Sequence, residues 1–161
     1  MSSRRAALES LALLGTLVSI GLAIWAYATL PPSIATHWGT DGRVDYGPKA
    51  TLFFLPACGL VAYCIATFGS AIPGQRIVLP ALHMTPENSD AVYAVRDSYT
   101  LVVKALIGVG FALIEWQIIS SAGGVLSPGL NVAILGFSAV LVVVVAAYIV
   151  GLYKAAKPHP E

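Results

Sequence analysis

Charge is what this chain of 161 residues has least of. Asp, Glu, Lys and Arg make up 11% of it, against about 25% in an ordinary soluble domain. So few charges cannot cover a soluble globule of this size with a hydrated surface. Meanwhile 57% of the residues are hydrophobic and the mean hydropathy is +0.80, so the surplus apolar side chains face lipid. Nine basic against eight acidic residues leave no net field to draw a polyanion, which argues against nucleic acid as a partner. Cysteine is almost missing. Cys58 and Cys64 stand six apart in one apolar run, about 120° from each other around a helix, so they do not pair and say nothing about redox compartment. Also missing are a Ser/His/Asp arrangement, a phosphate loop and a redox motif. The chain therefore reads as a non-enzyme with no cofactor.

What the chain does have is four long apolar runs, at about residues 8–30, 50–72, 99–121 and 130–153. A membrane-spanning helix needs ~20 such residues, and none of the runs alternates as a strand would. The expectation is an all-α integral membrane protein: one four-helix bundle over residues 1–161, with a loop at 31–49 and a connector at 73–98. The first run is too long for a secretory signal and ends in Leu30-Pro31-Pro32 without a cleavage site, so it is read as a retained helix. Lys and Arg set the orientation. Arg4, Arg5, Arg76, Arg96, Lys104, Lys154 and Lys157 fall on one side if the helices alternate, and only Arg43 and Lys49 on the other. Seven against two places both termini and the 73–98 connector in the cytoplasm and the 31–49 loop outside. Thr85-Pro86-Glu87 reads as an N-cap with proline at the first helical position, which would start the third helix before the membrane.

Two polar features stand out against this apolar background. On an ideal helix Asp90, Asp97, Lys104, Gly108 and Glu115 fall within roughly 40° of one another, a polar stripe on one face. Glu115 lies ~7–8 Å from the bilayer centre. A carboxylate there costs at least a few kcal/mol if it faces lipid, roughly in line with insertion scales. It is either a proton or cation site or a structural hydrogen-bonding group helped by Gln117 and Trp116. Lys104 is ~16 Å from it along the axis and is expected to snorkel to the cytoplasmic interface. Small residues recur four apart at Gly15, Ser19 and Ala23, at Gly108 and Ala112, and at Ala147 and Gly151, a spacing that lets helices approach closely.

The second feature is the loop itself, LPPSIATHWGTDGRVDYGPK. Asp41-Gly42 favours a two-residue hairpin turn, and in that register His37 and Asp45 point to opposite sides. A three-residue turn over 40–42 would instead set His37 opposite Asp45. His37, Asp41 and Asp45 are legitimate ligand types, but they lack a helical histidine pair or a cysteine, so no metal is assigned. The other readings are a folded cap over the bundle mouth and a surface for an external ligand.

Leu30-Pro31, Ile34, His37-Trp38, Gly42, Asp45 and Lys49, followed by Leu55-Pro56, resemble the pattern of a bacterial membrane domain family of unknown function. That domain also forms the N-terminal part of SdpI-like immunity proteins, which protect cells against a secreted toxic peptide. Ala35 departs from the pattern, where the family usually has a second proline. The resemblance implies a multi-pass protein of the bacterial cytoplasmic membrane, with the motif loop (His37, Trp38, Asp41, Asp45, Lys49) on its outer side. The expected function is a non-enzymatic binding, sensing or immunity-type module working through that loop. The alternatives are an accessory subunit of a larger membrane complex and a transporter-like module using Glu115. The expected partners are membrane lipid and other membrane subunits or a second copy of the chain.

Overall fold

The computed structural model describes residues 3–39, 41, 43–69, 82 and 85–157. Four helices carry the architecture: α1 (Ser3–Thr29), α2 (Phe54–Gly69), α3 (Ser89–Ser120) and α4 (Pro128–Ala156). A 3-10 segment, Lys49–Phe53, leads into α2 and completes its span. All four are long and apolar enough to cross a membrane. Their outward faces are apolar, with Leu14, Ile24, Ile65, Val132 and Leu135 all more than half exposed. In water that surface would be an aggregation site; in lipid it is the ordinary outside of a bundle. The chain is a multi-pass membrane protein.

The part of the second run at 70–72, residues 73–81, 83 and 84 of the 73–98 connector, which include Arg76 and His83, and His159 lie outside the described residues. Where the description resumes, Thr85 and Asn88 bond each other reciprocally. The Asn88 side chain accepts from Thr85 N at 2.9 Å, and Thr85 Oγ1 accepts from Asn88 N at 3.3 Å. This is a capping box with Asn in the place of Glu. It closes a turn at 86–88, with Ser89 N donating to Thr85 O at 3.1 Å, and the continuous helix α3 follows from Ser89. Asn88 Nδ2 also donates to Ala156 O at 3.0 Å, so one residue opens α3 and closes α4.

Helix α3 is the hub, packing against α1 most extensively and also against α2 and α4. The buried stripe of α1 is made of small residues: Ala12, Gly15, Thr16, Ser19, Ala23 and Ala26. A methyl group on Gly15 would lie 2.5 Å from the Gly108 carbonyl carbon, and one on Gly108 would lie 2.7 Å from Ala12 O. The two backbones therefore touch, which only glycine permits, and dispersion between closely packed backbones replaces the hydrophobic drive that lipid does not supply. Gly151 meets Val95 and Tyr99 of α3, whereas Ala147 is exposed, so that spacing marks no contact. Helix α4 packs on α3 alone among the major contacts, and nothing in its most apolar window is buried.

Between α1 and α2 the chain is not a plain loop. It forms an antiparallel hairpin, β1 (Ser33–Trp38) and β2 (Val44–Pro48), at the end of the bundle where α1 stops and α2 starts. The pairs are Ser33 with Pro48, Ile34 with Gly47, Ala35 with Tyr46, His37 with Asp45 and Trp38 with Val44, with an irregularity between Ala35 and His37.

Candidate functional site

The hairpin register follows from its tip. Gly39 N donates to Arg43 O at 2.8 Å, which closes the strands around three residues, 40–42, of which Thr40 and Gly42 lie outside the described residues. The longer turn sets His37 opposite Asp45. Asp41 Oδ1 accepts from Arg43 N at 3.1 Å, and the two side chains form an ion pair at 3.4 Å. Both are well exposed, so this pair shapes the turn more than it stabilises the fold.

One extra residue in β1 re-aims the strand, as a bulge does. Ile34 and Ala35, adjacent in sequence, are both fully buried. Ile34 enters a cluster with Ala23, Ala26, Leu52, Ile119 and Ala122. Ala35 N donates to Ala122 O at 3.0 Å, and Trp38 Nε1 donates to Gly124 O at 3.1 Å. Gly124 takes a positive φ of 96°, and a methyl group there would collide with the Tyr46 hydroxyl at 2.6 Å. The turn after α3 is thus shaped to receive the hairpin. Of the motif residues, Trp38 and Lys49 belong to this inner seam.

Lys49 does two jobs with one ammonium. Its Nζ donates to Leu30 O at 3.1 Å, at the C-terminal end of α1, and lies 4.7 Å from the centre of the Tyr27 ring. A cation belongs there: the last carbonyls of a helix lack intrahelical donors and carry the negative end of its dipole. The ring, itself 5.2 Å from Phe53, adds a cation–π contact. Lys49 N also donates to Pro32 O at 3.0 Å, closing the base of the hairpin.

The outer face is different in kind. His37 and Asp45 stand opposite each other and are exposed, with Thr36 beside them. No hydrogen bond or ion pair joins His37 to Asp45, and among the described residues no three of His, Cys, Asp and Glu gather to hold a metal. The arrangement is a base bonded to the bundle with a polar upper surface, on which the one side-chain bond is from Thr36 Oγ1 to Asp45 O at 3.3 Å.

Within the membrane span, Lys104 does not snorkel. Its side chain is 3% exposed, with Nζ 2.6 Å from Glu9 Oε2 on α1 and 4.2 Å from the centre of the Tyr63 ring on α2. Helix α3 is enclosed at this level, so an ammonium on its buried face needs a protein partner more than a route to water. Glu9 is the single charge in residues 8–30, and its pairing depends on which helices touch. Above the ammonium is a cavity of about 260 Å³ between the four helices, lined by Thr16, Tyr63, Val103, Ile107 and Tyr148 among others.

Glu115 is fully buried, and neither of its oxygens has a hydrogen-bond partner. Gln117 and Trp116 do not support it. Gln117 Nε2 donates instead to Asn131 Oδ1 at 2.9 Å and Ser121 Oγ at 3.2 Å, tying α3 to α4, and Trp116 is half exposed. The polar stripe is also not continuous in environment. Asp90 and Asp97 are exposed, Asp97 is paired with Arg96 at 2.7 Å, and the stripe becomes buried only from Lys104 onward.

Residues 14–60, which include the whole hairpin, match the model of a family described as a domain of unknown function (DUF1648). A search of the curated proteins and one of the solved structures found no match.

Proposed function

We propose that this chain is a non-enzymatic binding or sensing module of the bacterial cytoplasmic membrane, and that the outer face of its hairpin is the recognition surface. The observation that carries the reading is the contrast between the two faces of one small hairpin. The inner face is held by Ile34, the Trp38–Gly124 bond and the Lys49–Leu30 bond. The outer face leaves Thr36, His37 and Asp45 exposed and unsupported by the bundle, beside the Asp41–Arg43 tip. A preorganised platform loses little entropy when it binds. The excess of Lys and Arg at the other end of the bundle supports an outward-facing hairpin. The resemblance to the domain of SdpI-like immunity proteins favours a membrane-active peptide or a partner membrane protein as the class of ligand.

The experiment is site-specific photo-crosslinking in native membranes, with Arg43 replaced by a photoreactive phenylalanine. The expected result is one discrete crosslinked species, lost when His37→Ala and Asp45→Ala are combined. A pattern no different from that of the same probe at lipid-facing Leu135 would remove the reading. Orientation is tested alongside in a Cys58→Ala, Cys64→Ala background. A cysteine at position 43 should react with a non-permeant maleimide in intact cells, and one at position 154 should not.

A second reading, an accessory subunit or a homodimer, rests on α4. No residue of its apolar window is fully buried inside the chain, which leaves a helix flank for another membrane subunit. Purification in mild detergent tests it: a stoichiometric partner or a dimer supports it, and a monodisperse monomer sinks it.

A further inference from the structure

We propose that Glu115 is a proton-binding site inside the bundle, and that it shares its proton with Ser19 of α1. The argument begins with three buried oxygens. Glu115 Oε1 and Oε2 and Ser19 Oγ have no hydrogen-bond partner, although the two residues are 0% and 1% exposed. Both belong to the α1–α3 interface. Gly15 and Gly108 touch on one side of them in the sequence, and Ala23, Ala26 and Ile119 cluster on the other. Ser19 lies between Gly15 and Ala23, and Glu115 between Gly108 and Ile119, so they share one interval of the interface.

Among the described residues no cation reaches that interval. On α1 the nearest charge is Glu9, already bound to Lys104, and Lys104 is ~16 Å from Glu115 along α3. Helix α2 carries no Lys, Arg, Asp, Glu or His between Phe54 and Gly69; its titratable groups are Tyr63, beneath Lys104, and two half-buried cysteines. The only charge on α4 is Lys154, in its last turn, with Tyr148 and Tyr153 near it. In the hairpin, Lys49 is committed to Leu30 O, and His37 and Asp45 are exposed on its outer face.

A carboxylate buried without a counter-charge gives up its charge. A bound metal ion is a poor substitute, because hard cations take six or more oxygens. Here the backbone carbonyls are engaged in helices, and Thr16 Oγ1 already donates to Ala12 O at 3.0 Å. A proton needs only one donor and one acceptor. The two side chains are not bonded to each other in this structure; on protonation the acid turns to donate to Ser19 Oγ and the serine hydroxyl donates back to the other carboxyl oxygen, which satisfies all three orphaned atoms. Ile119, one turn further along α3, packs in the cluster that seats Ile34. The proton is therefore held one turn from the foundation of the hairpin.

The test is infrared spectroscopy of the full chain in liposomes near neutral pH. A carboxyl group in water is ionised at that pH, so a protonated-carboxyl C=O band reports a buried site. The expected result is one such band in the unaltered protein, absent from Glu115→Gln, and shifted to higher frequency by Ser19→Ala as a hydrogen bond is lost. Labelling by a hydrophobic carbodiimide, which requires the protonated acid, should fall about tenfold per pH unit once the pH passes the site's own pKa. No band in folded protein overturns the proposal, as does a band that added sodium removes. A band insensitive to Ser19→Ala overturns the shared proton. Ser19→Ala keeps Glu115 in place, so its band shift is read independently of Glu115→Gln.

Discussion

Lys104 and Glu115 stand on one face of α3, and the bundle treats them in opposite ways. Lys104 is given a counter-charge from α1 and an aromatic face from α2. Glu115 is given neither and is enclosed completely. The difference lies in the neighbours each level offers. At the level of Lys104, α1 supplies Glu9; at the level of Glu115, the same helix supplies Ser19, Ala23 and Ala26. A buried ionisable group in a membrane either keeps its charge with a partner or loses it, and this one helix shows both outcomes.

Breaking the paired end should have the largest effect. Glu9→Gln leaves the Lys104 ammonium buried without a counter-charge, and should cost about 2–4 kcal/mol, toward the low side of buried pairs because Glu9 is itself partly exposed. Thermal unfolding in mild detergent reads this, and adding Lys104→Met should restore most of the loss. Next comes the contact between the two levels. Gly108→Val drives a side chain into Ala12 O and should cost about 1–3 kcal/mol or more, seen as a lower unfolding midpoint and wider α1–α3 crosslinking distances. The third effect concerns a cation placed at a helix end rather than in the interior. Lys49→Met loses the bond to Leu30 O and the Tyr27 contact, about 1–2 kcal/mol together, and should show as faster amide exchange across residues 30–38. The smallest change is expected at the unpaired end. Glu115→Gln should alter stability by no more than about 1 kcal/mol, because an amide reproduces the neutral acid's donor and acceptor. A loss comparable to that of Glu9→Gln would mean that the two levels are alike after all, and that Glu115 is an ion with a partner.

The four spans were legible because lipid imposes a length and a composition that no soluble fold demands of every helix. The Gly15 and Gly108 spacings were legible as well, but not that each glycine is the other's partner. The same signal at Ala147 marked an exposed surface, because spacing along one helix carries no information about what lies across from it. The Glu9–Lys104 pair was hidden for the same reason: 95 residues separate its members, and only packing joins them. For the hairpin, Asp41-Gly42 allowed two registers that differ by one residue, and Asp41 decided between them by turning its carboxylate onto Arg43 N. Nothing local announced that Ala122 and Gly124 would bond the hairpin. Their carbonyls are backbone atoms, which any residue would provide, and only the positive φ of Gly124 distinguishes the place.

Those two carbonyls bear on whether the region covering residues 14–60 can stand apart from the rest of the chain. Its hairpin is stitched to acceptors more than sixty residues past its end, at Ala122 and Gly124. A graft of that segment onto a foreign host would arrive without its dock, leaving the Trp38 indole and the Ala35 amide with no acceptor. A host for this unit must itself supply a helix that ends at the same height with a tight glycine bend.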